Sequence, residues 1–225
     1  MSAKKFTIVS ACMNRSAMLR VSLQSWIGNP LISEIIIIDW SSKDPISWAE
    51  SLDPRIRVIR IDGQKTFNKS KSLNIGISAS SGDFIMQMDV DYILNPYYNL
   101  IEIFQKKITE RDFIVCGGWI GEGKGTGRPF LQPTNGFLCA PKKSLLEAGG
   151  YNENLQGWGY DDDDIINKLL KLGLTRKILR LSGGRFIYHN PHGAEKRVEN
   201  YDNKIPSDSW KKIKQFQKKT VTFSA

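Results

Sequence analysis

The chain has 225 residues, 40% of them hydrophobic and 24% charged, with a formal net charge of +9. That length and balance describe one large globular domain or two tightly joined lobes, and exclude a disordered chain. No apolar run approaches the ~20 residues that a helix needs to cross a bilayer.

Met1-Ser2-Ala3-Lys4-Lys5 leads into a strand-like run without the apolar core of a signal peptide. Cys12, Cys116 and Cys139 are odd in number, widely spaced and without metal-ligand spacing. Such thiols fit a reducing compartment, and the expectation is a cytoplasmic protein. The positive charge favours an anionic partner. Part of it lies in Lys211-Lys212-Ile213-Lys214-Gln215-Phe216-Gln217-Lys218-Lys219, read as a basic helix or tail over 206–225. That segment is either solvated or rests at the periphery of an anionic membrane. No nucleic-acid-binding motif accompanies the charge, so no nucleic acid partner is expected.

Phe6 to Cys12 reads as a first buried strand, followed by Met13-Asn14-Arg15 and a helical pattern carrying Met18, Leu19, Val21, Leu23 and Trp26 up to Gly28. Ile35-Ile36-Ile37-Ile38 is an uninterrupted β-branched run of the kind found in parallel sheets covered on both faces. It ends in Asp39-Trp40-Ser41-Ser42. A third strand is expected at Ile56–Arg60 and a helix from Asn68 to Ser80, broken by Ser81-Gly82. A fourth strand leads into Met88-Asp89-Val90-Asp91. Further on, a helix is expected from Tyr98 to Lys107 and a strand from Phe113 to Cys116. Gly117–Gly127, with six glycines, reads as a mobile loop. Another strand is expected at Asn135–Ala140, a helix at Lys142–Ala148, and a helix after Asp161-Asp162-Asp163-Asp164 that stops at Gly173.

Alternating strands and helices imply right-handed crossovers, a mostly parallel sheet and helices on both faces. Ligands of such sheets bind beyond the carboxyl ends of the strands. Asn14-Arg15, Asp39 and Asp89/Asp91 fall at those ends.

Asp89 and Asp91 are separated by one residue, so in extended chain both would face one side. A divalent cation would relieve their repulsion, Mn²⁺ or Mg²⁺ by the hardness of the ligands. A solvated turn is the alternative. The four aspartates at 161–164 cap a helix and favour its positive end, which accounts for two of them. The remainder, beside Gly157-Trp158-Gly159, suit a sugar site in which crowded carboxylates raise one another's pKa and one serves as a base. His189 ends the strand-like run Phe186-Ile187-Tyr188 and is a candidate metal ligand, with His192 as substitute.

Asn68-Lys69-Ser70-Lys71-Ser72-Leu73-Asn74-Ile75-Gly76, together with Met88-Asp89-Val90-Asp91, resembles the nucleotide-sugar glycosyltransferases of GT-A fold. Gly157-Trp158-Gly159-Tyr160-Asp161-Asp162-Asp163 is similar to the Gly-Trp-Gly-Gly-Glu-Asp-Asp motif of the β-1,4-galactosyltransferases and of related bacterial polysaccharide-synthesising domains. The resemblance covers roughly residues 6–193. It implies a GT-A fold in a single domain, with a donor half (about 1–115) and an acceptor half (about 116–205). It further implies a UDP-sugar donor, a saccharide or glycoconjugate acceptor, and an inverting transfer of galactose or N-acetylgalactosamine.

By the same resemblance, Asn14, Arg15, Asp39, Lys71, Asn74 and Asp89 would bind the donor, and Asp91 and His189 would bind Mn²⁺ or Mg²⁺. Asp162 would be the general base. Asp163, Trp158 and Asp161 would hold the acceptor. Phe186 stands where the galactosyltransferases have a methionine ligand, and Tyr160-Asp161 replace a glycine and a glutamate. Gly117–Gly127, or the segment after His192, would close over bound donor. The rival expectations are a sugar nucleotidyltransferase, a non-catalytic carbohydrate-binding protein, and a donor-binding relic that has lost catalysis.

Overall fold

The computed structural model describes residues 3–122, 129–133, 136–155, 159–180, 186–190 and 220–224. The chain begins with β1 (Phe6–Cys12), α1 (Ser16–Ile27), β2 (Ile32–Trp40), a 3₁₀ turn at Ser47–Ser51, β3 (Ile56–Ile61), α2 (Lys69–Ala79) and β4 (Phe84–Met88). These β and α elements sit where the hydrophobic pattern puts them. Next come β5 (Tyr92–Leu94), α3 (Leu100–Lys107), β6 (Asp112–Glu122), β7 (Pro129–Pro133), β8 (Phe137–Pro141) and α4 (Lys142–Glu147). The remainder is α5 (Asp161–Lys171), β9 (Thr175–Arg180), β10 (Ile187–His189) and β11 (Thr220–Ser224).

The main sheet runs β11-β9-β6-β8-β4-β1-β2-β3, with β7 paired to β6. Along that path β8 alone is reversed, antiparallel to both β4 and β6, while the other neighbours run parallel. Successive side chains of the central strands enter opposite cores, as the two-residue period requires. Ile8, Ile35 and Ile37 pack with Leu19, Leu23 and Trp26 of α1 and with Phe104 of α3. Val9 and Ile85 pack on the other face with Leu73 and Ile77 of α2, Leu145 of α4, and Ile165 and Leu169 of α5. Both cores draw residues from before and after position 115, so the two halves share one interior.

Three features differ from the sequence-based expectations. The glycine-rich stretch is not loop throughout: 117–122 continues β6 and pairs antiparallel with β7, a hairpin whose ladder satisfies the backbone that glycine leaves conformationally free. Residues 123–128 lie outside the described residues. In the expected basic helix or tail, 220–224 form the edge strand β11, parallel to β9, and 206–219 lie outside the described residues. Among the described residues, no helix is long and apolar enough to cross a membrane.

The third difference concerns the aspartate pair. Strand β4 ends at Met88, and Asp89-Val90-Asp91 turns, with the Tyr92 N–H donating to the Asp89 carbonyl at 3.0 Å. The simple alternation that would aim both carboxylates one way therefore does not apply, and each takes its own partners. Helix α1 holds this turn from beneath. Ser22 Oγ donates to the Val90 carbonyl at 2.5 Å, Trp26 Nε1 to the Tyr92 carbonyl at 2.9 Å, and the Leu94 N–H to Ser25 Oγ at 2.9 Å.

Candidate active site

The site lies at the carboxyl ends of β1, β2 and β4, closed by the two-stranded ribbon β5–β10 and the start of α5. Asp91 is buried at 3% exposure. Its Oδ2 lies 3.0 Å from Arg15 Nη1 and 3.6 Å from His189 Nε2. The ribbon accounts for the second approach: His189 is paired with Tyr92 across an antiparallel register, and the Asn190 N–H donates to the Asp91 carbonyl at 2.7 Å. Tyr92 meets the His189 ring edge-on, with centroids 5.6 Å apart.

One carboxylate and one imidazole converging this closely suit a divalent first-row cation. The other ligand positions would be left to phosphate oxygens and water, as such ions accept. Among the described residues no group of three or more His, Cys, Asp or Glu side chains is arranged to hold an ion, and Asp91 and His189 are the pair that converges there. Phe186 adds nothing: it is buried and packs edge-on against Tyr98 at 5.9 Å. Trp158 and His192 lie outside the described residues.

The second centre is built on Lys69, the first residue of α2. Asn68 caps that helix, accepting from the Lys71 N–H at 2.9 Å. Lys69 Nζ is 2.9 Å from Asp161 Oδ2, 3.1 Å from Asp89 Oδ1 and 3.6 Å from Asp162 Oδ1. The Lys71 side chain, two residues further on, is exposed to solvent.

The four aspartates of α5 therefore divide. Asp161 and Asp162 face Lys69, Asp163 is exposed, and Asp164 pairs with Lys168 one turn along at 3.1 Å. Tyr160, before them, has φ 69°, the left-handed conformation that a bulky side chain rarely adopts. Gly159 has φ 97°, so the backbone reverses sharply as it enters the helix.

Crowding has the expected electrostatic effect. Burial pushes the Asp162 carboxyl up to about 8, aided by Asp161 and opposed by Lys69. Burial likewise lifts Asp89 to about 6, with Lys69 again pulling it back. Burial on its own would lower Lys69, but Asp161, Asp162 and Asp89 together raise it well above the usual lysine range.

Asp89 is further fixed by Gln87, whose Nε2 donates to Asp89 Oδ1 at 3.2 Å and to the Gly136 carbonyl at 3.0 Å. Gly136 has φ 90°, and a Cβ there would fall 2.7 Å from Asp89 Cγ. Lys69, Gln87 and Gly136 were not singled out from the sequence. The lysine lies within a motif that was recognised, but its partners are distant along the chain.

The other expected donor residues line the same edge. Asn14, at φ 56°, joins two loops: its N–H donates to Ser42 Oγ at 3.0 Å, and its Oδ1 accepts from the Lys43 N–H at 2.8 Å. Asp39 is wholly buried and organises the loop after β2, accepting from the Ser42 and Ile46 N–H groups and pairing with Arg60 at 2.6 Å. The Asn74 amide braces the loop before α5. It donates to the Tyr151 carbonyl and to Glu153 Oε1, both at 2.9 Å, and accepts from the Tyr151 N–H at 2.7 Å.

Residues 7–189 match the family described as "Glycosyl transferase family 2". The chain belongs to this family. Among curated relatives of this glycosyl transferase family 2 member, bovine β-1,4-galactosyltransferase 1 is 30% identical over 135 residues, covering 58% of this chain and 32% of that protein. Human β-1,4-galactosyltransferase 1 is 30% identical over the same length and shares. The chain thus spans about a third of the length of these relatives. In fold, it is similar to Staphylococcus aureus TarS 1-349 in complex with UDP-GlcNAc, at TM-score 0.66 and 15% identity, covering 88% of this chain and 62% of that one. It is also similar to the mannosyltransferase PcManGT of Pyrobaculum calidifontis in complex with GDP-Man and Mn²⁺, at TM-score 0.63 and 13% identity, over 78% and 55%. The family 2 member has the GT-A fold.

Proposed function

We propose that this chain is an inverting, metal-dependent glycosyltransferase that moves a hexose, galactose or N-acetylgalactosamine, from a UDP-sugar to a saccharide hydroxyl. One observation carries the reading: Asp91 and His189 meet at the same sheet edge where Lys69 joins Asp89 to Asp162. Those residues come from distant parts of the chain, and their convergence suits a sugar diphosphate lying between an electropositive end and a base. The resemblance to galactosyltransferases supports the choice of sugar, and the Mn²⁺ in the PcManGT complex supports the choice of ion.

Asp91 and His189 would hold Mn²⁺ or Mg²⁺, which when bound would offset the charge gathering on the departing diphosphate. Asn14, Arg15 and Asp39 would position the nucleotide, and Asp89 the donor sugar or ribose. Arg15 stands beside Asp91 and places a fixed positive charge where the leaving group becomes more negative. Asp162 accepts the proton of the acceptor hydroxyl as that oxygen attacks the anomeric carbon. The bond from that carbon to the diphosphate oxygen breaks, and its electron pair leaves with UDP. A single displacement inverts the anomeric centre. Asp161, Asp163 and Trp158 would grip the acceptor, within an acceptor half of about 116–205. The three buried cysteines, none of them in a disulfide, fit a cytoplasmic setting, and the basic segment 206–225 would be the part to meet an anionic membrane surface.

A screen of UDP-sugars with Mn²⁺, reading UDP release with no acceptor added, tests this directly. Slow hydrolysis of one UDP-hexose, stopped by chelation, is expected. Binding without turnover would favour a non-catalytic protein, and pyrophosphate release from UTP and a sugar phosphate would favour a nucleotidyltransferase.

A further inference from the structure

Lys69 is 16% exposed at its side chain and contacts three carboxylates from two separate elements, the turn after β4 and the first turn of α5. The groups facing Asp162 can be named from each side: Lys69 on α2, Asp89 after β4, Asp161 and Asp163 on its own helix, Tyr92 on β5, and Tyr151 in the loop before α5. Both phenols are held neutral, because burial first and these carboxylates second push them well above their ordinary range. Among the described residues, Lys69 is thus the cation set against Asp161, Asp162 and Asp89, while Arg176 of β9 acts on Asp163. An ionised Asp162 is disfavoured by burial, Asp161 and Asp89, and favoured by Lys69.

Taking Asp162 as the base proposed above, we infer that Lys69 is the positioning residue of the transfer. It aims the Asp162 carboxylate, keeps it ionisable near neutral pH, and ties the donor-side Asp89 turn to the acceptor-side helix. A lysine needed only to fill space would hold the fold but leave the ionisation of the base alone. The two roles separate in a pH profile.

The test is kcat/KM for donor hydrolysis or transfer, from pH 5.5 to 9.5, in the wild type, Lys69→Met and Lys69→Arg. Lys69→Met is expected to lose at least about 10-fold at pH 7, with its acid limb moved up by about one unit or more, so that activity partly returns at pH 9. Lys69→Arg keeps the charge and returns the limb towards the wild-type position. A uniform loss at every pH, or an unmoved limb with the wild type active, would overturn the inference.

Because Lys69→Met leaves buried and half-buried acids without their cation, a substrate-free cycle accompanies it. Urea midpoints of wild type, Lys69→Met, Asp162→Asn and the double variant are compared at pH 6 and 8. The cost of Lys69→Met is expected to grow with pH, and to grow less when Asp162 is already asparagine; equal costs in both backgrounds would overturn the coupling. Absence of turnover in the wild type with every donor would count against the transferase reading, while this cycle still decides whether Lys69 and Asp162 are coupled.

Discussion

Asp162→Asn is expected to abolish most activity and yet make the protein more stable. In the unfolded chain the carboxyl titrates near 3.8, and in the fold near 8. The folded state therefore binds more protons than the unfolded state between these values, and stability falls as pH rises from about 4 towards 8, levelling off above. At pH 7 that difference disfavours the folded state by up to about 4 kcal/mol relative to a neutral isostere. Asparagine removes the effect; the Lys69 attraction is already contained in the value near 8, and discounting for the partial exposure of the side chain leaves an expected gain of about 1–3 kcal/mol. For a chain of this size, each kcal/mol raises Tm by about 2–4 °C.

Urea unfolding at pH 5, 7 and 9 reads the effect. The variant's advantage is expected to be small at pH 5 and largest at pH 9. In the same preparations turnover is expected to fall by about 10²-fold or more, as for loss of a general base, while UDP binding persists. The wild-type kcat/KM is expected to decline as pH falls below the Asp162 ionisation, and the variant to lack that limb. Equal or lower stability of the variant at every pH, or near-normal turnover, would refute the assignment of Asp162 as a half-buried, destabilised base.

Three further substitutions probe the rest of the site. His189→Ala leaves Asp91 as the sole protein ligand and is expected to raise the Mn²⁺ concentration for half-maximal activity by about 10–100-fold or more, read by metal titration of UDP release. Gly136→Ala forces a methyl group onto Asp89 and demands a φ unsuited to alanine. It is expected to destabilise the protein by about 1–3 kcal/mol, in urea unfolding, and to weaken donor binding. Tyr160→Gly relieves a left-handed tyrosine. Its melting temperature is expected to hold or rise, by at most about 1 kcal/mol of stability, and a large loss would mean that the Tyr160 ring packs more tightly than its half-buried position indicates.

Much of the donor side was legible because its signals are local. The apolar run Ile35–Ile38, the helix capped by Asn68, and polar residues at strand ends each follow from short-range periodicity and capping. The acid run at 161–164 was legible as a helix start, but the division of labour within it was not. Helical rotation sends Asp163 outward, and only the approach of α2 distinguishes Asp161 and Asp162 from Asp164. Lys69 drew no separate reading within its motif, because nothing near it in the chain shows that Asp89 and Asp161 will meet it. Strand β9 was missed for a similar reason. Thr-Arg-Lys-Ile-Leu-Arg is charged and lacks clean alternation, yet Lys177 finds Asp112 at 2.6 Å and the Lys107 carbonyl at 2.8 Å once β6 lies beside it. Strand β5 has three residues, too few for a pattern, and is fixed by its ribbon partner and α1.

The claim beneath the whole account is that one cation-held sugar diphosphate sits between Asp91 and Asp162. Anomalous diffraction from a crystal soaked with UDP and Mn²⁺ measures this most directly. The account predicts a manganese peak coordinated by Asp91 and His189, with the diphosphate completing the shell and running towards Asp162. Bound UDP whose manganese lies away from both residues, or whose diphosphate points away from α5, would contradict it.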